Sequence, residues 1–471
     1  IGQIVPDSYG TFWIVTERRG VYHFKPKNKV FAYYGLNYSN REFLGEPDKQ
    51  IIKEDSNRNI WVGINGGGLF LFDRDNDRFH HYRHEPDNTG SLSSDVVLSL
   101  YEDRSKNLWI GTSYGGVNKV TLKKDRMSRI SPVENPLTGF DNYVRSVTTD
   151  VLGNVWIGSK AGKIYVYKNR EKIGVIPDDL HNTDAFPPTN VYCMFFDNDH
   201  NLWIGTKGYG IYVIKSMLSF VNRLQHNDIE VVHLTHDANN PNSLSSDNVY
   251  CIEQDVHGQY WIGTFLGGLD LLVDPFGKPE VKRFAVNQEN DPGIVSTEVR
   301  DLFFDNQQNL WIATSEGVSI LESKYLKTVQ KSFINLKPSL INPESMSGNV
   351  VYQIKQSKNN DIFLAMLDGG INQLKADDFQ NRRFKWIHHE SSILSPNVYS
   401  IEEDHVGNIW VGTDNGLCRL NPNDGEIEKY NIRNSYLPLT FSETCSHKTT
   451  KQELVFGTND GFLIFHPDSI K

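Results

Sequence analysis

Four cysteines in 471 residues are too few for a disulfide framework, and no C-x-x-C pair occurs. Neither a stapled scaffold nor a cysteine zinc site is expected. No run approaches 18 apolar residues, and the mean hydropathy is -0.47, so no membrane span is expected within the chain. Sustained helical periodicity is missing, which excludes a solenoid of helices. Positive charge is in deficit: 48 Lys and Arg face 58 Asp and Glu, for a net charge of -10. An acidic surface repels phosphate backbones, so nucleic-acid contact is not expected. An apolar content of 38% is nevertheless too high for disorder. Catalytic signatures are missing as well. There is no H-E-x-x-H, no nucleophile elbow, and no Ser/His/Asp or paired-carboxylate set that the sequence can assemble. No catalytic residue, metal or cofactor is therefore assigned. No charged segment followed by an apolar stretch opens the chain, which starts inside a repeat and is read as a fragment.

What is present is a period. A W-[IV]-G-T-like core recurs at Trp13, Trp61, Trp109, Trp156, Trp203, Trp261, Trp311, Phe363, Trp410 and Val455. An Asp lies six residues before eight of these slots, as in Asp7, Asp55, Asp103, Asp150, Asp197, Asp255, Asp305 and Asp404. Ser357 and Thr449 stand there in the eighth and tenth repeats. Glycine follows the core by six or seven residues, as at Gly115, Gly162, Gly210, Gly267, Gly317, Gly369, Gly416 and Gly461, where a turn needs positive φ. Each unit reads as four short strands. VYCMFFD (191–197) is the first, NLWIGT the second and GIYVI the third. Segments such as DRFHHY (77–82) and GEIEKY (425–430) are the fourth. Asn, Asp and Gly clusters mark the turns. A four-stranded meander repeated at this spacing is a propeller blade.

The fold class is thus all-β, with ten four-stranded blades. The expected partition is seven plus three: 1–135 as the last three blades of an N-terminal propeller, and 136–471 as a complete seven-bladed C-terminal propeller. A strand from 126–142 should pair with the edge of the last repeat and close the ring. The large Trp should fill the space between adjacent blades.

NLWIGTSYGGVNKV, NLWIGTKGYGIYVI and NIWVGTDNGLCRL resemble the two-component regulator propeller repeat, and the S-L-S-S-D-x-V entries at 91–97 and 243–249 fit the same family. VFGTNDGFLIFHPDSI resembles the blade that precedes the β-sandwich of Bacteroidetes-type hybrid sensors. YVRSVTTDVLGNVWIGSKAGKIYVY (143–167) resembles the opening of their second propeller. The resemblance implies the periplasmic sensor region of a hybrid histidine kinase that recognises an oligosaccharide and signals through a phosphorelay to transcription. It further implies a homodimer in the full-length sensor and membrane attachment through a segment downstream of Lys471. Two other readings stay open: an extracytoplasmic propeller enzyme such as a polysaccharide lyase, and a protein-interaction scaffold.

In a propeller the second-to-third and fourth-to-first loops share one face. That places Lys160, Lys163, Lys207, Tyr209, Phe265, Glu316, Asp368 and Asn415 at the mouth. The residues after the first Val of the inner strand form a ring beside them: Arg145, Tyr192, Tyr250, Arg300, Tyr352 and Tyr399. Aromatic faces stack on sugar C–H groups, and a guanidinium grips a carboxylate or sulfate in a fork. The ring, with Lys207, is the candidate ligand site. The four tyrosines also suit packing between blades. Arg145 and Arg300 depart from the tyrosine pattern and are the sharper candidates. Cys193, Cys251 and Cys445 share a slot that Ser99, Ser146 and Ser400 fill elsewhere, so they are read as small-residue positions with free thiols. The D-x-x-x-N turns lack the ligand spacing of a calcium loop and are read as Asx turns.

Overall fold

The computed structural model describes residues 2–16, 20–36, 50–74, 77–86, 91–104, 106–122, 127–133, 136–176, 189–215, 230–284, 286, 293–328, 331–389, 395–430 and 439–470. The chain forms two compact units, Ile1–Asp125 and Arg126–Lys471. Every sheet described in both is antiparallel, and all but the one that Met127–Ile130 completes are meanders.

The first unit holds three sheets. The first is Gln3–Pro6, Phe12–Thr16, Gly20–Lys25 and Val30–Gly35. The second is Ile51–Glu54, Ile60–Ile64, Gly68–Asp73 and Arg78–Tyr82. The third has Val97–Glu102, Asn107–Thr112 and Val117–Thr121 among the described residues.

The second unit holds seven four-stranded sheets. Their inner strands are Val144–Thr149, Val191–Phe196, Val249–Gln254, Val299–Phe304, Val351–Gln356, Val398–Glu403 and Phe441–Lys448. Each inner strand lies beside the next, and Phe441–Lys448 lies beside Val144–Thr149, so the seven blades close into a ring. The outermost strand of the seventh blade is Met127–Ile130, which pairs with Gly461–Phe465 in the register Met127↔Phe465 and Ile130↔Phe462. This strand is why the units divide after Asp125, ahead of the division expected near 135: its hydrogen bonds tie it to the end of the chain.

The repeated residues explain the blade. In all eight repeats that carry both residues, the indole Nε1–H of the Trp donates to the Asp six positions earlier, at 2.8 to 3.1 Å. The other carboxylate oxygen accepts backbone N–H groups of the turn, as Asp305 does from Gln307 and Asn309 at 2.9 Å. The carboxylate is spent on an Asx turn and a buried indole, which accounts for the D-x-x-x-N spacing without a metal. Where the slot holds Phe363 or Val455, which donate nothing, the Asp is replaced by Ser357 or Thr449. No buried carboxylate is left facing an apolar side chain.

Each core is shared by two blades. Trp156 packs with Val191 and Ile204 of the next sheet, and Trp410 with Phe441 and Phe456. Val144 and Ile157 pack with Val455 and Phe462, joining the first blade of the ring to the last. The W-I-G-T glycine belongs to this packing. A Cβ on Gly205 would stand 2.4 Å from Cys193 Sγ and 2.9 Å from Val249 of the following blade. Gly317, with φ +130°, makes the tight turn expected of it. In three repeats the positive φ sits one residue later than expected, at Gly116, Gly268 and Gly370. The earlier glycines there meet a close neighbour instead: a Cβ on Gly267 would lie 2.4 Å from Ser245 Oγ.

Candidate functional site

The six ring residues share a backbone device. In each of the first six blades of the second unit the register with the second strand shifts by one residue, between Val144 and Ser146, Val191 and Cys193, Val249 and Cys251, Val299 and Asp301, Val351 and Gln353, and Val398 and Ser400. The residues skipped are Arg145, Tyr192, Tyr250, Arg300, Tyr352 and Tyr399. Each is the extra residue of a β-bulge, a local kink that re-aims one side chain out of the ladder. The valine before it stays fully buried in all six blades.

The skipped side chains meet in order around the ring. The Arg145 guanidinium lies over the Tyr192 ring at 5.2 Å, Tyr192 stacks on Tyr250 at 4.4 Å, and Tyr250 stacks on Phe265 at 5.5 Å. The Arg300 guanidinium lies over Tyr352 at 5.2 Å, and Tyr352 meets Tyr399 at 5.4 Å. The six positions therefore form two successive Arg-Tyr-Tyr triads. The arginines replace tyrosine while keeping its stacking on the next blade. Burial raises the hydroxyl pKa of Tyr192 and of Tyr352, the latter to about 12, so both are neutral donors at physiological pH.

The arginines have carboxylate partners that the sequence did not disclose. Arg145, 8% exposed, pairs with Glu443 of the seventh blade at 3.3 Å. Burial works against its charge, and Glu443, then Tyr143, more than offset this, so the guanidinium stays protonated. Arg300 reaches Glu298, two residues earlier in its own chain segment, at 3.5 Å.

Glu443 is brought to the mouth by an insertion. One residue separates Val191 from Cys193, whereas Ser442, Glu443 and Thr444 separate Phe441 from Cys445. The register between the first two strands jumps from Phe441↔Thr458 to Ser446↔Phe456. Thr444 takes φ +54° and donates its hydroxyl to Tyr352 O at 3.0 Å. Ser446 Oγ donates to Ile401 O at 2.8 Å and lies 3.1 Å from Gln353 Oε1. The last strand thus touches both triads. The signal was in the spacing: Phe441 lies eight residues before Thr449, where every other blade of the ring has six between the same slots.

Below the ring the inner strands carry charge. Lys355 Nζ pairs with Glu402 at 3.1 Å, and Asp301 accepts the Ile354 N–H at 2.9 Å. Burial lifts the Asp301 carboxyl to about 7, and burial with the neighbouring Asp301 lifts Glu253 to about 8. His447 lies 2.8 Å from Thr149 Oγ1, and burial holds its imidazole down at about 4.

Lys207 is exposed and forms an isolated bridge with Asn248. Lys160 lies over Phe140 at 4.7 Å and Tyr143 at 4.6 Å. Lys163 is exposed, Tyr209 is 47% exposed, and Glu316 pairs with Lys337 at 3.0 Å. Asp368 and Asn415 sit in the second-to-third strand turns, where Asp368 takes φ +54° and the Asn415 N–H donates to Thr413 Oγ1 at 3.0 Å. Among the described residues no group of three or more His, Cys, Asp or Glu could hold a metal ion, and all four cysteines are free.

Comparison with known proteins follows the repeat. The two-component regulator propeller family model matches residues 91–114, 185–208, 243–265 and 392–415. The chain carries the two-component regulator propeller repeat. A histidine kinase of Formosa agariphila is 23% identical over 232 residues, 49% of this chain and 16% of that protein. The extracellular domain of a hybrid two-component system of B. thetaiotaomicron superposes with TM-score 0.73 at 23% identity, over 99% of this chain and 56% of that one. Virginiamycin B lyase of Staphylococcus aureus shares the propeller fold at TM-score 0.50 and 15% identity, over 72% of this chain and 97% of the lyase. The chain spans about a sixth of the curated relative and somewhat over half of the extracellular domain.

Proposed function

We propose that this chain is the extracytoplasmic, ligand-sensing region of a hybrid two-component sensor histidine kinase, and that its seven-bladed ring binds a glycan fragment at the mouth. In this reading the region is periplasmic and non-catalytic. The full-length protein would act as a homodimer held to the membrane by a segment outside this chain, and binding would be relayed to transcription. One observation carries the site. Six consecutive blades spend a bulge each to point an Arg-Tyr-Tyr, Arg-Tyr-Tyr series at one place, and aromatic faces flanked by forked donors are what a sugar chain requires. The similarity to the histidine kinase and to the extracellular sensor domain supports the setting. The likeness to virginiamycin B lyase is one of fold, and fold does not carry function.

The test is calorimetry against a panel of neutral and anionic oligosaccharides, with wild type, Arg300→Ala and Tyr250→Ala compared and melting temperature measured in parallel. A charge-assisted contact contributes about 1.5–3 kcal/mol, so Arg300→Ala should weaken an anionic binder roughly tenfold to a hundredfold. Unchanged affinity in both variants, with folding intact, would move the site elsewhere. Enzyme-proportional cleavage of any panel member, abolished by a point mutation, would replace the sensor reading with an enzyme.

A further inference from the structure

The two triads are alike in sequence but not in surroundings. Arg300 has Glu298 from its own segment, at the edge of the ring. Arg145 has Glu443, delivered from another blade by an insertion that the other six inner strands lack. Two further cations belong to the Arg145 side. Lys160 stands over the Phe140 and Tyr143 rings, and its backbone N–H is held by Tyr143 O at 2.8 Å. Lys207 follows the second strand of the adjacent blade, where Thr189 Oγ1 donates to its carbonyl at 2.8 Å. The two lysines hold matching places in adjacent blades, since the Lys207 N–H donates to Asn190 O at 3.1 Å as the Lys160 N–H does to Tyr143 O. Arg145 and Lys207 add to burial in lowering the Lys160 pKa, and Glu443 opposes them. Glu443 is thus the ion-pair partner of Arg145 and the carboxylate whose charge Lys160 feels, in a chain whose net charge is -10.

We propose that Arg145, Lys160 and Lys207 form an anion subsite at this corner of the mouth, and that Glu443 is its resident counter-ion, displaced when a ligand carboxylate or sulfate enters. The inference rests on the reading of the mouth as a glycan site and names the ligand class, an acidic sugar with its charged group on the Arg145 side. The chemistry follows from the pairing. A buried guanidinium without a counter-ion is costly, so Glu443 satisfies Arg145 in the empty protein. The residual positive charge of Lys160 and Lys207 is what an incoming anion gains over Glu443 alone. The insertion supplies the give that displacement needs. Its Thr444 holds a left-handed backbone against a single side-chain hydrogen bond to Tyr352 O, a conformation that is costly for a β-branched residue.

The probes are a sulfated disaccharide of the chondroitin type and its desulfated counterpart, titrated calorimetrically into wild type, Glu443→Gln and Lys160→Gln. Glutamine keeps the shape of Glu443 and removes its charge. Glu443→Gln should tighten the sulfated disaccharide about tenfold and leave the desulfated one unchanged, and Lys160→Gln should weaken the sulfated one about fivefold. A second readout does not need the sugar. Sodium sulfate should raise the melting temperature of Glu443→Gln more than that of wild type, with sodium chloride at equal ionic strength as the control. If Glu443→Gln binds the sulfated disaccharide no tighter than wild type, including the case where neither binds, and sulfate shifts both melts equally, the anion subsite is overturned. Failure of the broader reading looks different. It would be seen as oligosaccharide binding that Tyr250→Ala and Arg300→Ala leave intact, whatever Glu443→Gln does.

Discussion

The two units are built from the same blade, and among the described residues ring closure is seen in the second. In the three-sheet unit Trp13 and Trp61 are buried, each against the sheet that follows it, while Trp109 of the third sheet is half-buried beside Leu98 and Tyr101, which are 40% and 64% exposed. At the other end of that unit Phe31 and Tyr33 are 60% and 55% exposed. In the ring every Trp slot, Phe363 and Val455 included, is 0% exposed. The Asp–Trp hydrogen bond is the same in both, 2.8 Å in Asp103–Trp109 and 2.9 Å in Asp305–Trp311. Local chemistry therefore makes a blade, and a neighbour makes its core. This is the nearest-neighbour energetics of repeat proteins, in which a sheet with no neighbour packed on one face keeps its internal bonds and lacks the interface term.

Truncating the Trp separates the two contributions and gives the largest effect. Trp311→Ala empties a fully buried slot between two blades and should cost about 3–5 kcal/mol. Trp109→Ala removes the same side chain from a half-buried position and should cost about 1–2 kcal/mol. Urea denaturation followed by circular dichroism measures both. Equal costs would mean that the indole acts through its hydrogen bond to the Asp and not through the blade interface.

How much of this the sequence disclosed follows the same division. The Trp slots, the paired Asp and the fourth strands at 78–82 and 427–430 were readable because each is set by residues close in the chain, and the closing strand within 126–142 because the last repeat lacks a fourth strand of its own. The ring positions were readable too, since a bulge at a fixed place in each repeat keeps its side chain in step. Glu443 was not. It lies in FSETCSHKTT, which reads as a decayed repeat, and its partner Arg145 is 298 residues away. The charged layer of Glu253, Asp301, Lys355 and Glu402 was equally hidden, because each blade contributes one member and no motif joins them. Contacts within a blade leave a periodic trace. Contacts across the ring leave none.

Protons sharpen the comparison at intermediate size. In the first unit, hydrogen bonds from Thr11 and Trp13 outweigh burial and lower the Asp7 pKa. Its contribution to stability is present above the ordinary carboxylate range and is lost only in strong acid. In the ring the sign is reversed. Glu253 and Asp301 titrate near 8 and 7 when folded and in the ordinary range when unfolded, so the folded state holds protons that the unfolded state releases. That stability is complete below pH about 4 and is lost as pH rises towards 8. His447, held at about 4, opposes this below its ordinary value of about 6.5, where its contribution falls away. The ring should thus gain stability between pH 8 and pH 6.5, while the three-sheet unit, where burial lowers the His23 pKa, should gain none. Glu253→Gln should flatten that rise and melt about 1–3 °C above wild type at pH 8. A wild-type melting temperature that is flat from pH 8 to pH 6.5 would remove the charged layer from the account.

The smallest effect comes from the cysteines, all four of which lie in the ring. Cys193, Cys251 and Cys445 press against the W-I-G-T glycines, where an added Cβ on Gly205, Gly263 or Gly457 would stand 2.3–2.4 Å from the sulfur. Burial pushes Cys193 and Cys445 up to about 12 and Cys418 to about 11, and takes Cys251 well above its ordinary value. The thiolate is the reactive form, so native protein at pH 8 should react far more slowly than unfolded protein. Denatured, unreduced chain should give four thiol equivalents, and reductant should leave the melting temperature unchanged. Two equivalents or fewer would mean that disulfides, and not packing alone, hold the ring. The slot itself predicts the substitution. Ser146 and Ser400 occupy it in sister blades, with Ser400 Oγ 2.7 Å from a Cβ placed on Gly412. Cys251→Ser should therefore keep the blade and shift stability by no more than about 0.5–1 kcal/mol. A loss of several kcal/mol, measured by the same urea titration, would show that the sulfur fills a volume the hydroxyl cannot, and that the slot selects for size as well as for smallness.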